Sequence, residues 1–140
     1  MSRVLGIDLG EKRVGIAISD PLGIFAQGLD VLNIRGRSDL LNKLLKYFNS
    51  YEIAEVVIGN PLDKMGRDCR RSIEIKKIAE LIFSHYNVKV KLWDERFSTK
   101  EAEKSLQEFG KKKFQKHVDK VSAQIILQSY LERVRDERLL

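Results

Sequence analysis

The chain has 140 residues, 43% of them hydrophobic and 33% charged, which excludes a disordered segment and gives a single domain, residues 1–140, enough length to bury a real core. No apolar run is long enough to span a bilayer and the N-terminus enters a strand pattern at once with no signal-peptide layout; one cysteine, Cys69, allows no internal disulfide, so the cytoplasm is the expected compartment and no membrane partner is expected. A net charge of +6 and a pI near 9.5 favour polyanionic partners, and two histidines, His85 and His117, are too few and too isolated for a histidine metal site or a catalytic triad.

Residues 4–9 (VLGIDL) and 14–19 (VGIAIS) read as two strands, the second alternating aliphatic with small residues, joined by a tight turn in which Gly10 supplies the positive φ that short hairpins often use. A strand running into a strand excludes the Rossmann and Walker phosphate loops, which run from strand into helix. Asp8 is the odd residue. A carboxylate among Val, Leu, Ile and Gly is costly to bury without a cation, so it is either a strand-end acid reaching solvent or a metal ligand awaiting further carboxylates.

Residues 23–32 read as a third strand broken by Gly28, and Ser38 as the cap of an amphipathic helix over 39–50. Residues 55–59 (EVVIG) suit a strand covered on both faces. The segment 60–72 (NPLDKMGRDCRRS) lacks periodicity, carries Lys64, Arg67, Arg70 and Arg71, and reads as a loop at the carboxyl end of a sheet strand, where α/β proteins place ligands. A helix over 69–86 follows, then a strand over 88–93 (VKVKLW) with Lys89 and Lys91 guarding an edge.

Asp94, Glu95 and Arg96 end that strand, and a capping-box pattern starts a helix through about Glu108. Consecutive strand residues face opposite ways, so Asp94 and Glu95 cannot both serve one site. Alternation puts Asp94 on the apolar face and Glu95 on the lysine face, and the residues alone leave the choice open. Residues 110–117 (GKKKFQKH) form a basic loop with an aromatic inside it, suited to a solvated linker or to phosphate contacts and base stacking. A final helix over 118–135 places Asp119 on its first turn, on the side of Ala123 and Ile126.

The order β-β-β-α-β-α-β-α-α describes an α/β fold with a mixed five-stranded sheet, three antiparallel strands continued by parallel ones. With the first strand central, Asp8, Glu95 or Asp94, and Asp119 become candidates for one carboxylate cluster. Such a cluster, without His or Cys, favours Mg²⁺ or Mn²⁺, and a pair of those ions can hydrolyse a phosphodiester.

Four segments in order, GIDLGEKRVGIAISD (6–20), VIGNPLDKMG (57–66), DERFSTKEAE (94–103) and VDKVSAQIILQSYLE (118–132), resemble the YqgF family, homologues of the RuvC Holliday junction resolvases within the ribonuclease H-like superfamily. The resemblance implies a ribonuclease H-like fold and a divalent-metal nuclease that processes the 5′ end of pre-16S rRNA on a ribosomal precursor particle, or resolves DNA junctions, as a monomer or homodimer. It carries the family's acids onto Asp8, Glu95 and Asp119 and so favours Glu95 over Asp94. Two departures, Asn60 where the family has a large apolar residue and Ser122 in place of the first of an alanine pair, touch neither metal ligands nor chemistry.

On this reading Lys12, Arg13, Arg67, Arg96, Lys111, Lys112 and Lys113 are the residues expected to meet the nucleic acid. Two other classes compete. An actin-like or sugar-kinase phosphotransferase also carries an Asp in its hairpin, but clamps its nucleotide between two domains where 140 residues provide one. A non-catalytic nucleic-acid-binding assembly factor has no need of all three acids.

Overall fold

The computed structural model describes residues 2–97 and 118–139, with side chains of the last stretch described from 122 to 137. The helix expected over 98–108 and the basic loop at 110–117, Lys111, Lys112 and Lys113 included, lie outside the described residues. The elements are β1 (Arg3–Leu9), β2 (Arg13–Ser19), β3 (Ala26–Asn33), α1 (Arg37–Ser50), β4 (Ile53–Asn60), α2 (Arg70–Tyr86), β5 (Lys89–Asp94), a 3₁₀ turn (Glu95–Phe97) and α3 (Val118–Leu139).

One five-stranded sheet is formed in the order β3-β2-β1-β4-β5, with β1 in the middle as expected; β1–β2 and β2–β3 are antiparallel, β1–β4 and β4–β5 parallel. Strand alternation sorts the side chains into two cores. Leu5, Ile7, Leu9, Val14, Ile16, Ile18, Val56 and Ile58 pack with α1 and α2, and Ala17, Ala26 and Val57 pack with Ala123, Ile126, Leu127, Tyr130 and Leu131 of α3. The small-residue face read from β2 is therefore the face that α3 covers. A Cβ on Gly6 would lie 2.8 Å from the Leu127 Cβ, so the helix passes over β1 at a distance only glycine allows.

Local chemistry moves several boundaries. Gly10 does not have a positive φ; it is required because a Cβ there would stand 2.4 Å from the Arg13 carbonyl, whose oxygen accepts the Gly10 N–H at 2.9 Å. The third strand starts at Ala26 and not at Gly23, because the Asp20 carboxylate accepts the N–H groups of Leu22, Ile24 and Phe25 and holds 20–25 as a turn. Gly28 marks a bulge: pairing runs from Ile16↔Asp30 to Ala17↔Gly28 and leaves Leu29 over. Helix α1 begins at Arg37 with Gly36 as N-cap, so Ser38 is not the cap; Asp39 instead accepts the Arg35 N–H at 2.8 Å. Strand β4 extends to Asn60, and α2 starts at Arg70 under a Cys69 N-cap whose N–H is accepted by the Ser72 hydroxyl at 2.7 Å. Both Lys89 and Lys91 are exposed on β5, an edge strand.

Candidate metal and nucleic-acid site

Asp8 lies on the α3 face of β1, two residues beyond Gly6 and one before the strand ends. Its register partner on β2 is Gly15, and the step after Ile7↔Ile58 brings it beside Gly59 of β4. Neighbours without side chains leave room around the carboxylate.

Glu95 arrives over the same spot. Gly59 pairs with Trp93, and a Cβ on Gly59 would lie 2.7 Å from the Glu95 Oε1 and 2.6 Å from the Ile126 Cδ1, so glycine is the residue that lets this carboxylate settle on the sheet. Burial raises the Glu95 carboxyl above its ordinary value, the negative charge of Asp8 raises it further, Arg71 opposes with a positive charge, and Asp94 adds a smaller push upwards. Two acids that perturb one another, one at the carboxyl end of β1 and one just past the carboxyl end of β5 with β4 between them, form the centre of the candidate site.

The alternation phase read from the sequence is correct, and Glu95 does fall on the lysine face with Trp93. Lys89 and Lys91 on that face are exposed as expected, while α3 packs on Trp93 at its carboxyl end, where Glu95 lies. Asp94 is turned the other way, paired with Asn60 in the ladder and bonded to Arg96.

The turn carrying Glu95 is held from two directions. On one side the Asp94 carboxylate accepts the Arg96 N–H at 2.9 Å and its guanidinium at 2.6 to 3.1 Å, while Arg96 also reaches the Lys64 carbonyl at 3.4 Å and lies so close to Gly66 that a Cβ there would stand 2.9 Å from its Nη2. On the other side, Ser129 of α3 accepts the Trp93 indole N–H at 3.1 Å and donates to the Phe97 carbonyl at 2.6 Å.

Asp119 is on the first turn of α3, and its side chain is outside the described residues. Its position in the helix is nevertheless informative. Leu127 passes Gly6 while Leu131 and Val134 border a cavity with Val4, so α3 runs antiparallel to β1. Residue 119 shares the stripe of Ala123 and Leu127; one turn back from Ala123 is about 5.4 Å, and Gly6 to Asp8 is about 6.7 Å along β1, so both steps lead to the same end of the sheet.

The cationic candidates are dispersed. Lys12 is exposed in the turn after β1 and Arg13 is exposed at the start of β2, at the same end as Asp8. Arg67 is bonded through its Nε to Asp63 at 3.0 Å, and Arg96 is committed to Asp94, so neither guanidinium is brought to the carboxylate pair. The residue that is brought there is Arg71, which donates to the Leu9 carbonyl, next to Asp8, and whose charge acts on Glu95. Sequence reasoning counted it among four basic residues of one segment without a signal to separate it from Arg67 or Arg70; its place in the first turn of α2, facing the end of β1, is a tertiary fact.

Among the described residues no three metal-ligating side chains converge, but the pair that does supplies oxygen donors only, carries mutual repulsion that a cation would relieve, and sits where glycines clear space. That donor chemistry fits a hard divalent ion and does not fit a thiolate- or imidazole-selective metal.

Residues 2–133 match the family model described as RuvX: Holliday junction resolvase. A protein of Dictyoglomus thermophilum, named "Putative pre-16S rRNA nuclease", is 47% identical over 132 residues, covering 93% of this chain and 95% of that one. A relative of the same name from Caldicellulosiruptor bescii is 46% identical over 134 residues, covering 93% and 96%. Among solved structures, Thermus thermophilus RuvC in complex with a Holliday junction substrate superposes with a TM-score of 0.72 at 13% identity, covering 97% of this chain and 96% of that one. The fowlpox virus resolvase bound to Holliday junction DNA gives 0.54 at 16% identity, covering 99% of both. Those two likenesses establish the fold, a RuvC-like mixed sheet with helices on both faces.

Proposed function

Because the chain belongs to the RuvX family of Holliday junction resolvases, we propose that it is a divalent-metal nuclease that hydrolyses phosphodiester bonds in the 5′ leader of pre-16S rRNA, acting in the cytoplasm on a ribosomal precursor. The observation that carries the reading is the meeting of Asp8 and Glu95 over Gly59, a pair of acids held together by the fold at a charge cost. Asp8, Glu95 and Asp119 would hold Mg²⁺ or Mn²⁺, which when bound supplies Lewis-acid polarisation of the phosphate and a more acidic water.

The chain's own residues do the rest. Strands β1 and β4 fix Asp8 and the floor beneath Glu95, the Asp94–Arg96 and Ser129–Phe97 contacts fix the turn that aims Glu95, and Arg71 moderates the negative field so that both acids stay folded side by side before a cation arrives. A Holliday junction is the second substrate to test, because the matching family model and two structural neighbours carry that description.

The test is cleavage of labelled pre-16S leader RNA, single-stranded RNA and DNA, and a four-way junction with Mg²⁺ or Mn²⁺. Leader RNA should be cut, and Asp8→Asn, Glu95→Gln and Asp119→Asn should each reduce turnover by about 10²-fold or more while the fold survives. Cleavage of the junction alone would reassign the substrate; an Asp8→Asn protein as active as the parent would remove the catalytic site from this position; and binding without cleavage of any substrate would leave an assembly factor.

A further inference from the structure

Beside the carboxylate pair, the turn after β1 and the first half of α2 enclose a groove of about 720 Å³ lined by Glu11, Arg70, Arg71, Ile73, Glu74 and Lys77. Arg71 belongs to both places, since it bonds the Leu9 carbonyl at the edge of the site and also lines the groove. Residues 70, 73, 74 and 77 recur at helical spacing along one face of α2. Two of them are exposed cations, Arg70 and Lys77, and among the described residues neither donates a hydrogen bond or closes a salt bridge, Lys77 acting on Glu74 through its charge alone.

The acids in the groove weigh less than their number suggests. Both Glu74 oxygens are taken by Arg37, at 2.7 and 2.6 Å, so its charge is matched from outside the groove. Glu11, the other acid of the lining, is exposed in the turn after β1. Ile73, half exposed at 51%, gives the middle of the groove an apolar surface against which a sugar or a base can lie.

We propose that the nucleic-acid strand adjoining the scissile phosphate runs along this groove, with Arg70 and Lys77 holding backbone phosphates about three nucleotides apart and Arg71 at the point where the groove enters the carboxylate site. This rests on the nuclease reading above and gives the substrate a path. Arg70 and Lys77 are seven residues apart, about 10.5 Å of helix, which spans about three phosphates of a strand rising about 3.4 Å per nucleotide. The sequence placed the substrate grip on Lys12, Arg13, Arg67, Arg96, Lys111, Lys112 and Lys113; the groove adds Arg70, Arg71 and Lys77, on the opposite side of the sheet from α3.

The experiment measures binding by fluorescence anisotropy across a salt series, in the Asp8→Asn background so that no strand is cut, with RNA and DNA strands of one sequence. Arg70→Ala with Lys77→Ala is compared with Lys46→Ala and Arg133→Ala, two cations paired elsewhere with Asp30 and Glu137. The groove pair should weaken binding about 25- to 60-fold near 0.1 M salt and reduce the slope of log affinity against log salt by about 1.4 to 1.8, equally for RNA and DNA, with melting temperature unchanged; the control pair should do neither.

Equal losses in the two pairs would reduce the effect to bulk charge and overturn the proposal. A loss confined to RNA would move the contact to the 2′-hydroxyls and overturn the phosphate assignment. Failure to bind any strand overturns the groove and the nuclease reading together, whereas groove-dependent binding by a parent protein that cuts nothing upholds the groove and overturns the nuclease reading.

Discussion

Glu95 carries a cost in the folded chain that the proposed metal site would explain. Burial and the charge of Asp8 raise its carboxyl above the ordinary value of 4.5, so the folded form keeps that proton to a higher pH than the unfolded form does. The linkage sign follows: this group takes nothing from stability below the ordinary value, and takes progressively more as pH climbs through the raised one. Glu95→Gln removes the penalty, so its melting temperature should exceed that of the parent by a margin that grows as pH rises above the ordinary carboxyl value; a constant margin would mean the carboxylate is not strained. Asn60 is a second residue out of balance. It is 7% exposed, and its Oδ1 accepts no hydrogen bond among the described residues. An orphaned buried carbonyl costs about 1–3 kcal/mol, so Asn60→Leu should raise stability by about 1 kcal/mol in denaturant titration without loss of activity. The sequence could mark Asn60 as unusual from the family pattern, but not that its oxygen goes unpaired, because pairing depends on what 61–72 places above it.

At the scale of elements, the loop between β4 and α2 and the turn after β5 behave as one piece through Arg96. The Asp94 side chain is 13% exposed and the arginine 41%, so the pair is neither a loose surface bridge nor a dry one. Arg96→Ala should lower kcat more than it raises KM, because it loosens the turn that aims Glu95. Adding Asp94→Ala should lower kcat little further, since the two act together. If Arg96 were instead a phosphate ligand, its loss would reduce the salt slope and leave kcat almost untouched. The strands and helices themselves were largely readable: the hydrophobic periods gave every described strand and α-helix, though not the 3₁₀ turn at Glu95–Phe97. The boundaries that moved did so through side chains that captured backbone groups, Asp20 over 22–25 and Asp39 over Arg35, and capture of that kind competes with propensity only once the neighbouring residues are in place. The choice between Asp94 and Glu95 was hidden for a similar reason, because alternation assigns faces but cannot say that α3 packs on Trp93 at the end of the lysine one.

For the molecule as a whole, the net charge of +6 is the sum of surfaces that meet the substrate and surfaces that do not. Replacing Lys111, Lys112 and Lys113 by Ala should reduce the salt slope by up to about three, with turnover at saturation changed much less; an unchanged slope would make that segment a solvated linker. Combining it with the groove variant should add the two reductions, because separate phosphates release separate counterions. The central place of β1 was expected from element order, but the antiparallel crossing of α3 and its closeness at Gly6 were not. It has a consequence for how the protein comes into being. Helix α3 follows all five strands, and without it Ala17, Ala26 and Val57 have no cover and the turn bearing Glu95 lacks its hold from Ser129. A nascent chain that has emerged through residue 97 has Asp8 and Glu95 but not the helix that draws them into one site. If the protein cuts RNA, the order of synthesis leaves it blunt while it is still tethered to the ribosome making it.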